Sequence, residues 1–393
     1  MKPNLLVLAS TFPAHPNDGT PAFVLDLAKR EAMRYSVTVL TPRIPGAAAR
    51  EVIDGVAVVR YPYFFKRYED LADGAILDNL KARRSRWLQV PALVVGLAIA
   101  LRKQLRVLSP AAIHAHWVIP QGLVAALVAG ETPLVVTTHG GDIYALNQKP
   151  ILALKRWVFS RAARITTVNR QMHDRLVELG VPGNKVAVLP MGVDTASVSK
   201  IAKDVETIDG QLLVVGRLVE KKGIGYLFEA MRGSAVGSRI RVKVIGDGPM
   251  RAELEAQAAG LQVEFLGQRG RSEVLQAIAE SQLMAIPSVT ATSGDQEGLP
   301  VTLLEGAAGG IAVVASRLPG IDEVIEHEVS GLLVEQRNSS ALAVAIERLL
   351  DDRALRTKLA AGIAEAAKRY DLDVIGEAYC EQLEIAIKGA AKE

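Results

Sequence analysis

Residues 294–310 read Gly294-Asp295-Gln296-Glu297-Gly298-Leu299-Pro300-Val301-Thr302-Leu303-Leu304-Glu305-Gly306-Ala307-Ala308-Gly309-Gly310, and just before them an apolar run, Leu283 to Ile286, has the character of a buried strand. The residues between are small and polar, a loop. Proline is tolerated in the first turn of a helix, so a helix is expected to start near Leu299 or Pro300. Its free first-turn N–H groups would point back into the loop and carry the positive end of the helix dipole, which suits a phosphate. Glu297 precedes that helix, and Glu305 lies roughly a turn and a half inside it. Carboxylates accept hydrogen bonds from paired hydroxyls. One anion site with two flanking carboxylates is therefore what a sugar nucleotide needs. On these residues alone, a loop glutamate and a solvated helix glutamate carry about equal weight, because short motifs are weakly specific.

Outward from this stretch, short apolar runs alternate with helical patterns. In the first half the strand-like runs are Leu5–Ala9, Val37–Leu40, Val56–Arg60, Ala112–Ala115, Leu134–Thr138, Ile165–Val168 and Val186–Leu189. Gly19 and Thr20 open an amphipathic helix running to about Arg34. Further helices are expected over Gly122–Ala129, Pro150–Arg161 and Gln171–Leu179. The rhythm pauses at Met191-Gly192-Val193-Asp194, and the polar residues 195–208 read as a linker. It then resumes with strands at Leu212–Val215, Val242–Ile245, Val263–Leu266, Leu283–Ile286, Ala312–Ala315 and Gly331–Val334, and with helices from about Ser339 to the end. Such alternation predicts α/β architecture: two Rossmann-like parallel-sheet domains in tandem, residues 1–195 and 196–370. Their strand carboxyl ends are expected to face an interdomain cleft, where open α/β sheets bind ligands.

Composition bounds the function. At 393 residues, two domains are the natural expectation. A net charge of only +3 gives no sign of a nucleic-acid partner. One cysteine, Cys380, excludes an internal disulfide framework and fits a reducing, cytoplasmic compartment. The apolar run at the N-terminus is too short for a signal peptide and reads as a first strand. The run from Leu88 to Leu101 is too short to span a bilayer. Residues 61–110 nevertheless break the α/β rhythm, with Tyr61, Tyr63, Phe64, Phe65 and Tyr68 followed by Lys81, Arg83, Arg84, Arg86, Trp87 and the apolar run, then Arg102, Lys103 and Arg106. This excursion suits an anionic membrane surface, peripheral on the inner face of the plasma membrane, or equally a pair of buried helices with a solvated basic end.

Other strand ends carry chemistry. Gly216-Arg217-Leu218-Val219-Glu220-Lys221-Lys222-Gly223 joins a strand to a helix, and Arg217 and Lys222 can both reach a diphosphate with charge-assisted bonds. It reads as well as a solvated basic turn. Gly246-Asp247-Gly248-Pro249 lacks the third glycine of a dinucleotide fingerprint and reads as a tight turn. Thr138-His139-Gly140-Gly141-Asp142 ends a strand of the first domain, with His139 placed to meet a ligand. His114 and His116 share one strand face, without a third residue at zinc spacing. Asp371-Leu372-Asp373 begins a C-terminal helix and is set aside as a metal–diphosphate motif. Asn338-Ser339-Ser340 is set aside as a glycosylation sequon.

Taken together, these motifs resemble the retaining glycosyltransferase family 4, with its GT-B fold. Glu297 and Glu305 match that family's Glu-x7-Glu signature. The match extends over Gly216-Arg217 with Lys222-Gly223, Gly246-Asp247-Gly248-Pro249, Met191-Gly192-Val193-Asp194 and Gly331-Leu332-Leu333-Val334, in the right order along nearly the whole chain. The resemblance implies a UDP- or GDP-sugar donor, no required metal or cofactor, and a glycan or lipid-linked acceptor, in bacterial surface polysaccharide or glycolipid synthesis. Arg217 and Lys222 would hold the diphosphate and stabilise it as leaving group. Glu305 would bind the ribose, Glu297 the donor sugar, and the N–H groups of Gly298, Leu299 and Val301 would cradle phosphate and sugar. His139 would touch the sugar from the first domain, and Gly19 would lie beside the diphosphate. The family often has a Gly-Gly pair where this chain has Asp18-Gly19-Thr20, and an asparagine where it has Met191. Residues 267–274 would line the base pocket. The terminal helix, residues 371–393, would cross back to the first domain. A nucleotide-sugar epimerase of the same fold and a non-catalytic nucleotide- or glycan-binding subunit are the alternatives. The first would turn over donor without acceptor, and the second would lack a complete donor site.

Overall fold

The structure, a computed structural model, describes residues 2–15, 18–74, 76–145 and 147–390, without the side chains of Leu77 and Asp78. The chain divides into two compact units, Met1–Pro190 with Asp373–Glu393, and Met191–Leu372. Among the described residues the first unit holds an eight-stranded sheet in the order β3-β4-β2-β1-β5-β6-β7-β8. Its strands are β1 Asn4–Leu8, β2 Ser36–Pro42, β3 Arg50–Ile53, β4 Val56–Tyr61, β5 Ala112–His116, β6 Leu134–Thr137, β7 Arg164–Thr167 and β8 Val186–Val188. Leu5 to Leu8 and Ile113 are fully buried, as expected where helices cover both faces of a sheet. All pairings are parallel except β3 with β4, so the expectation of a purely parallel sheet is corrected at this edge. The cause is local. Asp54 (φ 49°) and Gly55 (φ 84°) form a two-residue turn with both φ positive, which folds β3 straight back on β4.

The second unit holds a six-stranded parallel sheet in the order β11-β10-β9-β12-β13-β14. Its strands are β9 Ile208–Val215, β10 Arg241–Ile245, β11 Val263–Gly267, β12 Ser281–Ile286, β13 Ala312–Ser316 and β14 Leu332–Val334. Strand order reverses between β9 and β12, which pair through Leu212 with Leu283 and Leu213 with Met284. Loops leaving the carboxyl ends of two such strands diverge to opposite faces and leave a crevice. In the first unit the same reversal lies between β1 and β5.

Three expectations about elements need correction. Residues 195–208 are not an extended linker: helix Thr195–Lys203 forms there because Asp194 accepts a hydrogen bond from Ser197 N at 3.0 Å, and Val198 is buried against the second unit's core. The first helix runs Phe23–Glu31, starting later than Gly19 and ending before Arg34. The apolar run after Trp87 belongs to helix Gln89–Leu108, because Arg102, Lys103 and Arg106 are good helix formers and carry it past Leu101. Together with the preceding turn it makes a 25-residue stretch, Arg84–Leu108, long and apolar enough to cross a membrane by length and composition. The apolar run is thus part of a longer helix, and Leu93, Leu97 and Leu101 on it are buried within the first unit.

The last helix, Leu372–Ala390, lies in the first unit, where Cys380, Leu383 and Ala386 join the core around Leu5, Val7 and Val39. Tyr379, fully buried, donates to Leu189 O at 2.9 Å. Asp371 stays with the second unit, bridging to Val193 and accepting from Thr195 Oγ1. Asn338 caps helix Ser339–Asp351 by accepting from Ala341 N at 2.9 Å.

Candidate functional site

In the second unit the crevice beside β9 and β12 is built by two loops that brace one another. The β9 loop leaves through Gly216 (φ 154°). A Cβ added there would meet Lys222 Cε at 2.8 Å, so the lysine side chain lies directly over the glycine. The loop closes at Gly223 (φ 61°), where a Cβ would meet Pro287 O at 1.9 Å. Val289 N donates to Lys221 O at 2.8 Å, and Thr292 N to Glu220 at 2.8 Å. Lys221 Nζ pairs with Asp295 at 3.1 Å. The two loops are thus fixed by backbone contact, with both lysines directed at the second loop.

Gly246-Asp247-Gly248-Pro249 supports this loop from below. Gly246 (φ 137°) would put a Cβ 2.0 Å from Gly216 O, and Gly248 one 2.5 Å from Leu218 O. Leu218 N donates to Asp247 O at 2.9 Å. The tight turn read in the sequence is therefore a buttress for the Arg217 loop.

Glu297 and Glu305 are both buried, which discards the reading of solvated side chains. The helix behind them runs Val301–Gly309, with Pro300 at its N-cap, a residue or two later than expected. Glu297 Oε1 lies 3.3 Å from Lys222 Nζ and has no other hydrogen-bond partner among the described residues. Burial pushes the Glu297 carboxyl up, but Lys222 and Lys221 outweigh it and hold the group below its ordinary value. It is a buried carboxylate, ionised by its cations, with acceptor capacity unused. Glu305 lies 3.9 Å from Arg271, the first residue of helix Arg271–Glu280 and itself within the expected base-pocket segment 267–274. Arg217 is half-buried at the strand end. Gly298 and Leu299 lie in the turn leading into the helix, and Val301 is its first residue.

In the first unit His139 follows β6 and is held by its surroundings. Its backbone N–H donates to Asp142 Oδ1 at 2.9 Å, while Val118 N donates to Asp142 Oδ2 at 3.2 Å. One carboxylate therefore ties the β5 and β6 loops together. His139 Nε2 and His116 Nδ1 share a hydrogen bond at 3.0 Å with the rings stacked, and Trp117 and Phe23 close around His139 at 4.6 Å and 5.2 Å. Burial lowers the His139 pKa to about 3, and His114 adds to it. His116 is driven well below its ordinary value by burial, then by His114 and His139. Both rings are neutral at pH 7. Trp117 takes φ 70°, an uncommon strain for a bulky residue at a strand end. Gly19 lies in the β1 loop beside Asp18, whose carboxylate accepts from Thr20 N at 2.5 Å and from Ala14 N.

His114 and His116 do share one face, with ring centroids 4.4 Å apart. His114 instead serves the core, with Nδ1 2.6 Å from Glu31 and Nε2 2.7 Å from Thr137. Among the described residues no group of His, Cys, Asp and Glu is arranged to hold a metal ion. Sequence reasoning passed over Lys221, Glu220, Asp142 and Trp117. Asp142 alone had a visible signal, as the last residue of the His-Gly-Gly-Asp stretch.

Two family models divide the chain between them. The one described as Glycosyltransferase Family 4 matches residues 17–197, and the one described as Glycosyl transferases group 1 matches residues 200–369. The chain belongs to the family 4-type GT-B glycosyltransferases. Among named relatives of this chain, the amylovoran biosynthesis glycosyltransferase AmsK of Erwinia amylovora is 32% identical over 224 residues, 55% of this chain and 54% of that one. The putative colanic acid biosynthesis glycosyltransferase WcaL of Escherichia coli is 34% identical over 191 residues, 47% of each. The chain spans about half the length of these curated relatives. The GT-B fold is shared with HepE from Anabaena, solved with UDP-glucose, at a TM-score of 0.72 and 20% identity over 97% of this chain and 99% of that one.

Proposed function

We propose that the chain is a retaining glycosyltransferase that moves a sugar from a UDP- or GDP-sugar to a glycan or lipid-linked acceptor, in the synthesis of a bacterial surface polysaccharide or glycolipid. The observation that carries this reading is the buried Glu297–Lys222 pair, a carboxylate with unused acceptor capacity beside a cation at the mouth of the β9–β12 crevice. A donor sugar supplies hydroxyls for the first and a diphosphate for the second. Fixed cations act where charge develops, because the sugar gains positive charge and the departing diphosphate gains negative charge. Lys222, Arg217 and the amino end of helix Val301–Gly309 would carry that negative charge without a metal ion. The bond from the anomeric carbon to the diphosphate breaks, the acceptor oxygen bonds on the same face, and its proton passes to a phosphate oxygen. Glu305 takes the ribose hydroxyls, and His139, neutral at pH 7, gives the first unit's strand ends a ring able to hydrogen-bond a hydroxyl. The polysaccharide-building relatives and the UDP-glucose complex of HepE support this choice of donor and product class. The single cysteine fits a reducing, cytoplasmic place of work.

The test is a thermal-shift screen against UDP, GDP, ADP and their sugars, with and without EDTA. Ligand at about a hundred times its dissociation constant adds about 2.7 kcal/mol to stability. A shift selective for one nucleotide and indifferent to EDTA is expected. Glu297→Ala should then keep nucleotide binding and lose turnover, in the range of ten to a thousandfold, as roughly expected for one lost contact to the transition state. Full turnover in that variant would remove Glu297 from the reaction, and no shift with any nucleotide would remove the donor assignment.

A further inference from the structure

Helix Gln89–Leu108 has two apolar faces, and the fold uses only one. Leu93, Leu97, Leu101 and Gln104 are buried, facing inward at helical spacing. Gly96 seats the helix on the end of β4, where a Cβ would meet Pro62 O at 2.9 Å. The opposite stripe runs through Leu88, Ala92, Val95, Ile99, Arg102 and Arg106, with spacings of four and three. Leu88, Val95 and Ile99 are 74%, 56% and 63% exposed. Trp87, also exposed, stands at the head of the stripe.

The stretch of chain that carries the stripe has charge of one sign. From residue 79 to residue 130 the sequence contains no aspartate or glutamate, and it contains Lys81, Arg83, Arg84, Arg86, Arg102, Lys103 and Arg106. Arg86 is drawn inward to Asp70, at 2.9 Å. Arg83 and Arg84 remain exposed before the apolar part of the stripe, and Arg102, Lys103 and Arg106 after it. The apolar part, Leu88 to Ile99, is about 17 Å long at 1.5 Å per residue. A second copy of this chain would bring like charges together on that face. A surface of negative charge over an apolar layer complements the exposed stripe and its flanking cations.

We propose that this face docks the first unit on an anionic lipid bilayer, with the helix lying in the plane of the interface. Val95 and Ile99 enter the boundary of the hydrocarbon, Trp87 sits at headgroup level, and the flanking cations meet lipid phosphates. The helix does not cross the bilayer, because Leu93, Leu97 and Leu101 are committed to the unit's own core. The inference needs none of the donor-site assignments.

The experiment is flotation of the full chain with phosphatidylcholine vesicles and with vesicles carrying phosphatidylglycerol, at low and high salt. Binding is expected only to the anionic vesicles and should weaken with salt. Replacing Arg102, Lys103 and Arg106 together by alanine should weaken it on the order of a hundredfold, at about fivefold per cation. Val95→Ser with Ile99→Ser should abolish it. All these side chains are exposed, so unchanged thermal unfolding will show that the variants are folded. No binding to anionic vesicles, or equal binding by wild type and both variants, overturns the proposal. A wild-type dimer that the serine variant converts to monomer also overturns it, and assigns the face to self-association.

Discussion

Gly216 leaves room that Lys222 fills, and Gly246 leaves room that the Gly216 carbonyl fills. These absent side chains position the candidate donor site as much as the charged ones do. Gly246→Ala must relieve a 2.0 Å approach to a backbone oxygen at a φ of 137°, which side chains rarely adopt. A loss of roughly 2–4 kcal/mol is expected from strain and overpacking together, measured by urea denaturation, with a weakened nucleotide shift. His116 and His139 make a second prediction. Their folded pKa values lie below the unfolded value of about 6.5, with His139 at about 3. A depressed folded value means that the unfolded chain binds more protons as pH falls. Stability is therefore fully present above about pH 6.5 and is lost progressively toward pH 3, at up to about 1.4 kcal/mol per pH unit for each histidine. Denaturation midpoints in His139→Gln should show a shallower acid slope than wild type. An unchanged slope would mean that His139 protonates freely in the folded protein.

At the scale of elements, the strands were legible and several of the helices were not. Buried parallel strands are continuous apolar runs, so Leu5–Leu8 and Leu283–Ile286 announce themselves. Helix Thr195–Lys203 has few apolar residues, and its Asp194 cap and the packing of Val198 and Ile201 on the second unit's core decide that it forms. Asp194 starts it, so Asp194→Ala should cost about 1 kcal/mol, as for other lost N-caps, read as a lowered unfolding midpoint for the second unit. β3 escaped notice because four residues, one of them half-buried and two exposed, carry little apolar pattern. Its Asp54-Gly55 turn was the available signal. The Gly246–Pro249 turn was legible as a turn, but its partner, the Gly216 loop, is about thirty residues away and reaches it only through the pairing of β9 with β10.

At the scale of the whole molecule, the C-terminal helix belongs to the first unit although it follows the second in sequence. Cys380, Leu383 and Ala386 are buried there. A chain ending at residue 371 should therefore lose the first unit's cooperative unfolding transition and bind a hydrophobic dye, whereas the second unit keeps its own sheet and core. Retention of both transitions would show that the helix is dispensable. Pattern and local chemistry by themselves determined the α/β class, the tandem repetition, the loops at strand ends where Arg217, Lys222, Glu297 and His139 lie, and the helix that carries Glu305. They did so because those features follow from apolar periodicity and from residue types with few other uses. Only the tertiary structure decided that Lys222 pairs with Glu297, that Asp142 ties two loops beneath His139, and that one face of helix Gln89–Leu108 is left uncovered. Each of these depends on which distant strands become neighbours, and strand order is a property of the packed core that no window of sequence contains.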